Sequence, residues 1–135
     1  MDDLVRMRFD QAVARVIAAL PDRERRLIEH ELAVILEDRP SETMLIDLGM
    51  DPADPASEEL LGLFTGAMRT EASIEESGPP SVIHLFRHGL TEVARDEHGN
   101  IREDVLNEEI RITLLHELGH YYGLEEDDLE GLGYG

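Results

Sequence analysis

Apolar residues recur at helical spacing at both ends of the chain. In residues 3–20, side chains that repeat every three or four positions predict an N-terminal helix: Leu4, Met7, Val13, Val16, Ile17 and Leu20. Pro21 ends this helix, and Asp22 can cap a short second helix that runs to about His30. A last long helix is predicted over residues 102–122.

Three short apolar runs lie between these helices and predict strands. The first, residues 32–36, is partly β-branched and is closed by charged residues and Pro40. Continuation of the helix that begins after Pro21 is the alternative for this run. Residues 60–65 and 82–86 are the second and third predicted strands.

The remaining segments have the composition of surface connections. Residues 40–57 are rich in proline and acids, with a possible helical turn around residues 44–48. Residues 71–81 are polar and contain the run Gly78-Pro79-Pro80. Helices at both ends and a small sheet of three or four strands predict an α+β fold, with residues 1–135 forming a single domain.

Composition and charge narrow the possible functions. The 135 residues carry 12 Lys+Arg against 31 Asp+Glu, a net charge of −19, which argues against nucleic-acid partners and against docking on an anionic membrane. With no cysteine, the chain has no disulfide, thiolate zinc site or cysteine nucleophile. We find neither a signal-peptide pattern nor an apolar run of about 20 residues. These features predict a soluble, cytoplasmic protein.

The candidate chemistry lies in the last predicted helix, in the run His116-Glu117-Leu118-Gly119-His120. Because His116 and His120 are four positions apart, a helix presents both imidazoles on one face, the arrangement in which two nitrogens bind a single Zn²⁺. Glu117 lies beside that face, where its carboxylate could take a proton from metal-bound water. The alternative without a functional site is a surface helix on which the two histidines do not bind a common metal.

A third ligand is expected shortly after His120. Gly123 can end the helix, and five acids follow it: Glu125, Glu126, Asp127, Asp128 and Glu130. Glu126 occupies the position of the third histidine in the pattern H-E-x-x-H-x-x-G-x-x-H. A shell of His116, His120 and one carboxylate leaves a coordination position open, as in catalytic sites. The sequence therefore predicts one Zn²⁺ per chain.

At this motif the chain resembles the small bacterial zincin-like metallopeptidases, whose motif is H-E-x-x-H-x-x-G-x-x-D. The similarity extends along nearly the whole chain, at Leu20-Pro21, residues 34–38 with Pro40, residues 60–64, Pro80, Ile83, residues 85–87 and residues 132–134. The resemblance implies a few-stranded sheet with the active-site helix packed against it. His116 and His120 would then bind the metal and Glu117 would be the general base. Glu126 replaces the expected aspartate, so Asp127 or a water could be the third ligand instead.

Other zinc-site families fit the sequence less well. All five methionines precede His116, so the Met-turn that follows the motif in metzincins has no counterpart. Only 15 residues follow His120, too few for the later glutamate ligand of thermolysin-like enzymes. The ribosome-associated endoribonuclease type, with the pattern H-x-x-x-H-x-x-x-x-x-H, lacks a base equivalent to Glu117.

Three functions remain open from the sequence. The first is a metallopeptidase acting on peptides or partly unfolded chains, and the second is a zinc-binding regulatory module with weak or no catalysis. The third is an acidic interaction protein without metal.

For the peptidase, residues 82–86 would hold substrate backbone if this strand is a sheet edge. Three phenols are candidates to stabilise the oxyanion: Tyr121, Tyr122 and Tyr134. The four other histidines are expected to be solvated or structural, with His84 the first exception: His30, His84, His88 and His98.

Overall fold

The computed structural model describes residues 1–66 and 80–122. Its elements, in chain order, are α1 (Asp3–Ala19), α2 (Asp22–His30), β1 (Ala33–Glu37), α3 (Glu42–Asp47), a 3₁₀ turn (Pro55–Glu59), β2 (Gly62–Thr65), β3 (Val82–Phe86), α4 (Arg87–Val93) and α5 (Glu103–Tyr121). Helices surrounding a small sheet make this an α+β fold, as predicted. Within the described ranges, no helix is long and apolar enough to cross a membrane.

Local signals explain where the first elements begin and end. The Asp2 carboxylate caps α1 by accepting a hydrogen bond from the Leu4 amide at 2.7 Å. Leu20 is extended at the end of α1, as the residue before a proline prefers. Beyond α2 the chain does not continue as a helix, because the Ala33 amide donates to the Ser81 carbonyl at 3.1 Å and starts β1.

The sheet has the strand order β1-β3-β2. β1 runs parallel to β3, and β2 runs antiparallel to it. β3 is therefore the central strand, so it does not meet the condition, a position at a sheet edge, under which it would hold substrate backbone. The reason is visible in its burial: four of its five residues are buried, which is typical of a strand covered on both faces. In the described sheet, β1 and β2 form the two edges.

The core lies between the sheet and the two long helices. One buried cluster unites β3 with α1 and α5, and its fully buried members include Phe9, Ala12, Ile83, Leu85, Ile110, Leu114 and Leu118. Each of the larger side chains contributes about 1.5–3 kcal/mol by leaving water. The opposite side of α5 carries the exposed residues Asp104, Glu108 and Arg111, while Asn107 between them is half-buried. This burial fixes which side of α5 faces the sheet.

The helix α4 was not predicted from the sequence. It follows β3 without a loop, and Gly89 packs so closely that a Cβ there would lie 2.4 Å from the Leu60 carbonyl oxygen. Leu90 is fully buried in the core and Thr91 is almost fully buried. These contacts form only after the chain has folded, which is why a short helix containing glycine lacks a local signal.

An ion-pair network joins α1, the end of β1 and the start of α4. Asp38 accepts hydrogen bonds from Arg6 Nη2 at 2.7 Å and from Arg87 Nη1 at 3.2 Å. Arg87 also donates from Nε to Asp10 at 2.9 Å. Hydrogen bonds from Arg6, and secondarily from Arg87, lower the pKa of Asp38 from 3.8 to about 2.

Asp38→Asn should destabilise the protein in a pH-dependent way. Because the folded-state pKa of Asp38 is lowered, its ion pairs stabilise the fold above pH 4 and cease to do so as the pH falls through about 2. We expect the variant to lose about 1 kcal/mol of unfolding free energy at pH 6, after allowance for solvent screening. Urea unfolding from pH 6 to pH 2, with the exposed Asp47→Asn as control, measures this difference. A difference that does not shrink toward pH 2 would contradict the assignment.

Candidate metal centre

The two histidines of the motif meet on one side of α5. His116 Nε2 and His120 Nε2 lie 3.2 Å apart. The two rings are 4.9 Å apart between centroids and meet edge to face at 77°. Both residues are half-buried, so packing against the fold restricts them. The helical spacing therefore produces the pair that the sequence predicts.

The spacing of the two nitrogens tests whether a zinc ion fits. Two imidazole nitrogens bound tetrahedrally at about 2.0–2.1 Å from Zn²⁺ lie about 3.3–3.4 Å from each other. The observed 3.2 Å agrees with this value. Donor atoms of His116, Glu117 and His120 all lie within 4.8 Å of one another. This group could hold a metal ion, and its nitrogen donors suit zinc.

Glu117 is a buried carboxylate held by the edge strand. Its residue is only 8% exposed, and its Oε1 accepts a hydrogen bond from the Phe64 amide of β2 at 2.9 Å. Its other oxygen, Oε2, lies 4.0 Å from His116 Nε2. Since burying a carboxylate without hydrogen bonds is costly, the Phe64 amide stabilises Glu117 in this position. The result is a carboxylate with one oxygen anchored and the other near the histidine pair.

Close packing of β2 on α5 depends on Gly62. A Cβ at this position would lie 2.6 Å from the Thr113 methyl group and 3.0 Å from the His84 carbonyl oxygen. It would also lie 3.6 Å from Cγ of Glu117. Glycine thus allows the strand backbone to approach the helix one turn before the motif, which brings the Phe64 amide within reach of Glu117.

Aromatic side chains pack around the end of α5. Tyr121 is buried, and its ring centroid lies 5.9 Å from that of Phe64. Tyr122 is half-buried, and the Arg23 guanidinium lies 5.6 Å from its ring centroid. Tyr121 therefore links the helix that carries the motif to β2 by packing.

Several expected site residues lie outside the described ranges: Gly123, Glu125, Glu126, Asp127, Asp128, Glu130 and Tyr134. The third metal ligand therefore stays a prediction. Among the other histidines, His98 is exposed and His88 Nδ1 lies 3.3 Å from Arg39 Nη2. His84 is buried on β3, away from the motif, and interacts with Glu37 and Thr65.

Sequence reasoning missed the contribution of β2 to the site. Gly62 had a usable signal, because a glycine inside a strand pattern often marks a close approach by another backbone or side chain. The Phe64 contribution had none, since its amide rather than its side chain contacts Glu117. Any residue type other than proline could donate that hydrogen bond.

Together, the fold and the site define a class of protein. A long helix carries two paired imidazoles and a buried carboxylate, and it packs against the antiparallel strand of a small sheet. Residues 30–134 match the family model for zincin-like metallopeptidases. The chain belongs to the zincin-like metallopeptidase family, which implies a metal, typically zinc. The matched residues begin at His30, so the match does not include Leu20-Pro21, where the sequence also resembles the family. No curated protein sequence matches the chain.

Proposed function

We propose that this protein is a zinc-dependent metallopeptidase that hydrolyses peptide bonds in peptides or partly unfolded chains. One observation carries the proposal. His116 Nε2 and His120 Nε2 lie 3.2 Å apart, and the adjacent Glu117 carboxylate is anchored on the Phe64 amide at 2.9 Å. The same helix thus combines two zinc donors with a preoriented base. Because the chain has no cysteine, it also suits a reducing compartment, and we propose cytoplasmic substrates.

His116 and His120 would hold the Zn²⁺ ion, with Glu126 as the proposed third ligand. Asp127 or a water is the alternative at that position. When bound, Zn²⁺ supplies a Lewis acid that lowers the pKa of a water molecule toward about 7 and polarises the scissile carbonyl. The rest of the reaction is proton transfer and substrate positioning by the chain's own residues.

Glu117 is the proposed general base and then the general acid. Its Oε2 lies on the side of His116 and would accept a proton from the water that attacks the scissile carbonyl. The same oxygen would return the proton to the leaving amine as the carbon–nitrogen bond breaks. Throughout, Oε1 would keep its hydrogen bond with Phe64, so the carboxylate need not reorient between the two transfers.

The edge of β2 is the proposed place for substrate backbone. The Phe86 amide donates to the Leu61 carbonyl, and antiparallel alternation then turns the backbone groups of Leu63 and Thr65 toward β3. The backbone groups of Gly62 and the Phe64 amide therefore point away from β3, toward the side of β2 where the described sheet has no further strand. An extended peptide could pair there by adding a strand, beside the helix that carries the motif.

Removal and return of zinc tests the function directly. We expect the zinc-loaded protein to cleave members of a varied peptide library or a denatured, fluorescently labelled protein. Incubation with a chelator should reduce the rate to background, and stoichiometric Zn²⁺ should restore it. Tightly bound zinc without cleavage of any substrate would favour the regulatory module instead. Failure to bind zinc would favour the acidic interaction protein.

A further inference from the structure

Three polar side chains form a line across the face of the sheet opposite α5. Ile83 and Leu85 of β3 point into the core, so the alternation along a strand places His84 on the other face. Glu37 of β1 and Thr65 of β2 reach the same face. His84 is the central member and has a side chain only 9% exposed. None of these three residues belongs to the metal centre.

The two hydrogen bonds in this line have a defined direction. His84 Nδ1 lies 2.6 Å from Glu37 Oε1, and His84 Nε2 lies 3.0 Å from Thr65 Oγ1. An ionised carboxylate only accepts hydrogen bonds, so Nδ1 must carry a proton. The Thr65 hydroxyl then donates to Nε2 of a neutral ring or accepts from a charged one. Both bonds therefore persist in either protonation state of His84.

The line ends next to the residue that holds Glu117. Thr65 directly follows Phe64, whose amide donates to Glu117 Oε1 at 2.9 Å. We infer that Glu37, His84 and Thr65 are positioning residues: they fix β2 so that the Phe64 amide orients the Glu117 carboxylate. The inference rests on the proposed role of Glu117 as base. These three side chains would act from the face of the sheet opposite the reacting groups.

β2 needs such a restraint because its own pairing is limited. The strand has four residues and, within the described chain, pairs with β3 on one side. A short edge strand is weakly specified in register and position. The Thr65–His84 hydrogen bond ties its last residue to the central strand, and the His84–Glu37 bond extends that tie to β1. A shift of β2 by even 1 Å would break the 2.9 Å contact with Glu117.

Hydroxyl, imidazole and carboxylate in this order also occur in nucleophilic triads. A nucleophilic hydroxyl needs hydrogen-bond donors aimed at the developing oxyanion. Thr65 lies instead within the ladder, in register with Val82. Thr65 is the residue after Phe64, whose amide contacts Glu117. These contacts favour a positioning role for Thr65 over nucleophilic attack.

Thr65→Val tests the inference, because valine keeps the shape and strand preference of threonine and removes only the hydroxyl. In the zinc-free protein, hydrogen exchange of the Phe64 amide should accelerate about tenfold, and its proton resonance should shift upfield. In the zinc-loaded protein, kcat on a cleaved peptide should fall about tenfold with KM within about twofold. Thr65→Ser retains the hydroxyl and should restore both readouts. Thr43→Val, an exposed position on α3, is the matched control.

The outcomes separate this inference from the proposed function. Faster exchange at Phe64, with the amides of β1 and the β1–β3 ladder unchanged, supports the positioning role even if no peptide is cleaved. An unchanged Phe64 amide in Thr65→Val overturns it, even if the wild type is an active peptidase. Equal loss in Thr65→Ser and Thr65→Val also overturns it, because the hydroxyl would then not be the feature that matters.

Discussion

Glu117→Gln should reduce the kcat for peptide hydrolysis by about 10²–10⁴-fold while leaving bound zinc unchanged. Glutamine has nearly the same shape as glutamate, and its carbonyl oxygen can still accept the hydrogen bond from the Phe64 amide. It cannot accept a proton from the attacking water. In Glu117, Oε1 contacts the Phe64 amide at 2.9 Å, and Oε2 faces His116. The substitution therefore keeps the anchoring hydrogen bond and removes only the proton transfer.

The measurement is a comparison of kcat and zinc content for the wild type and two variants. Glu97→Gln makes the same chemical change on a side chain that is 87% exposed, and it should leave both quantities unchanged. Full activity in Glu117→Gln would exclude Glu117 as the base. Loss of zinc together with activity would show instead that its carboxylate supports the metal site.

His116→Ala should weaken Zn²⁺ binding by about 100-fold or more. Removal of a group that merely orients a ligand already costs about 10–100-fold in metal affinity, and His116 is a proposed ligand itself. Its nitrogen forms half of the 3.2 Å pair, so one alanine leaves His120 without its partner donor. The side chain is 25% exposed, and we expect the variant to fold because it leaves no closed cavity.

Competition with a chromophoric chelator measures this affinity, and metal analysis gives the stoichiometry. We expect about one zinc per wild-type chain and no specific zinc in the variant. His98→Ala removes an imidazole that is 76% exposed and should bind zinc as the wild type does. Equal affinity in His116→Ala and the wild type would place the metal elsewhere in the chain.

The same assay addresses the third ligand. Glu126→Ala should lower zinc affinity clearly if Glu126 is a ligand, whereas Asp127→Ala should have little effect. The reverse result would assign the role to Asp127. If neither variant changes the affinity, neither carboxylate is a ligand, and a water at the third position is favoured.

Local interactions determined the parts of this protein that its sequence predicts well. The helix α5 follows from apolar periodicity, and the facing of His116 and His120 follows from helical geometry over one turn. The boundaries of α1 follow from the Asp2 cap and from Pro21. In each case the residues that decide the structure are within about four positions of one another, so the local sequence is sufficient to predict it.

Tertiary structure alone decided the strand order and everything that depends on it. β3 is central because it pairs with β1 and β2 at once, and the short α4 forms by packing against residues near β2. The anchor of Glu117 is an amide 53 positions away, and the line from Glu37 to Thr65 crosses three strands. The sequence by itself thus specified which helix carries the paired histidines and which carboxylate accompanies them. Which backbone group holds that carboxylate was decided by long-range packing, because a hydrogen bond from an amide depends on where the chain lies and not on which side chain it carries.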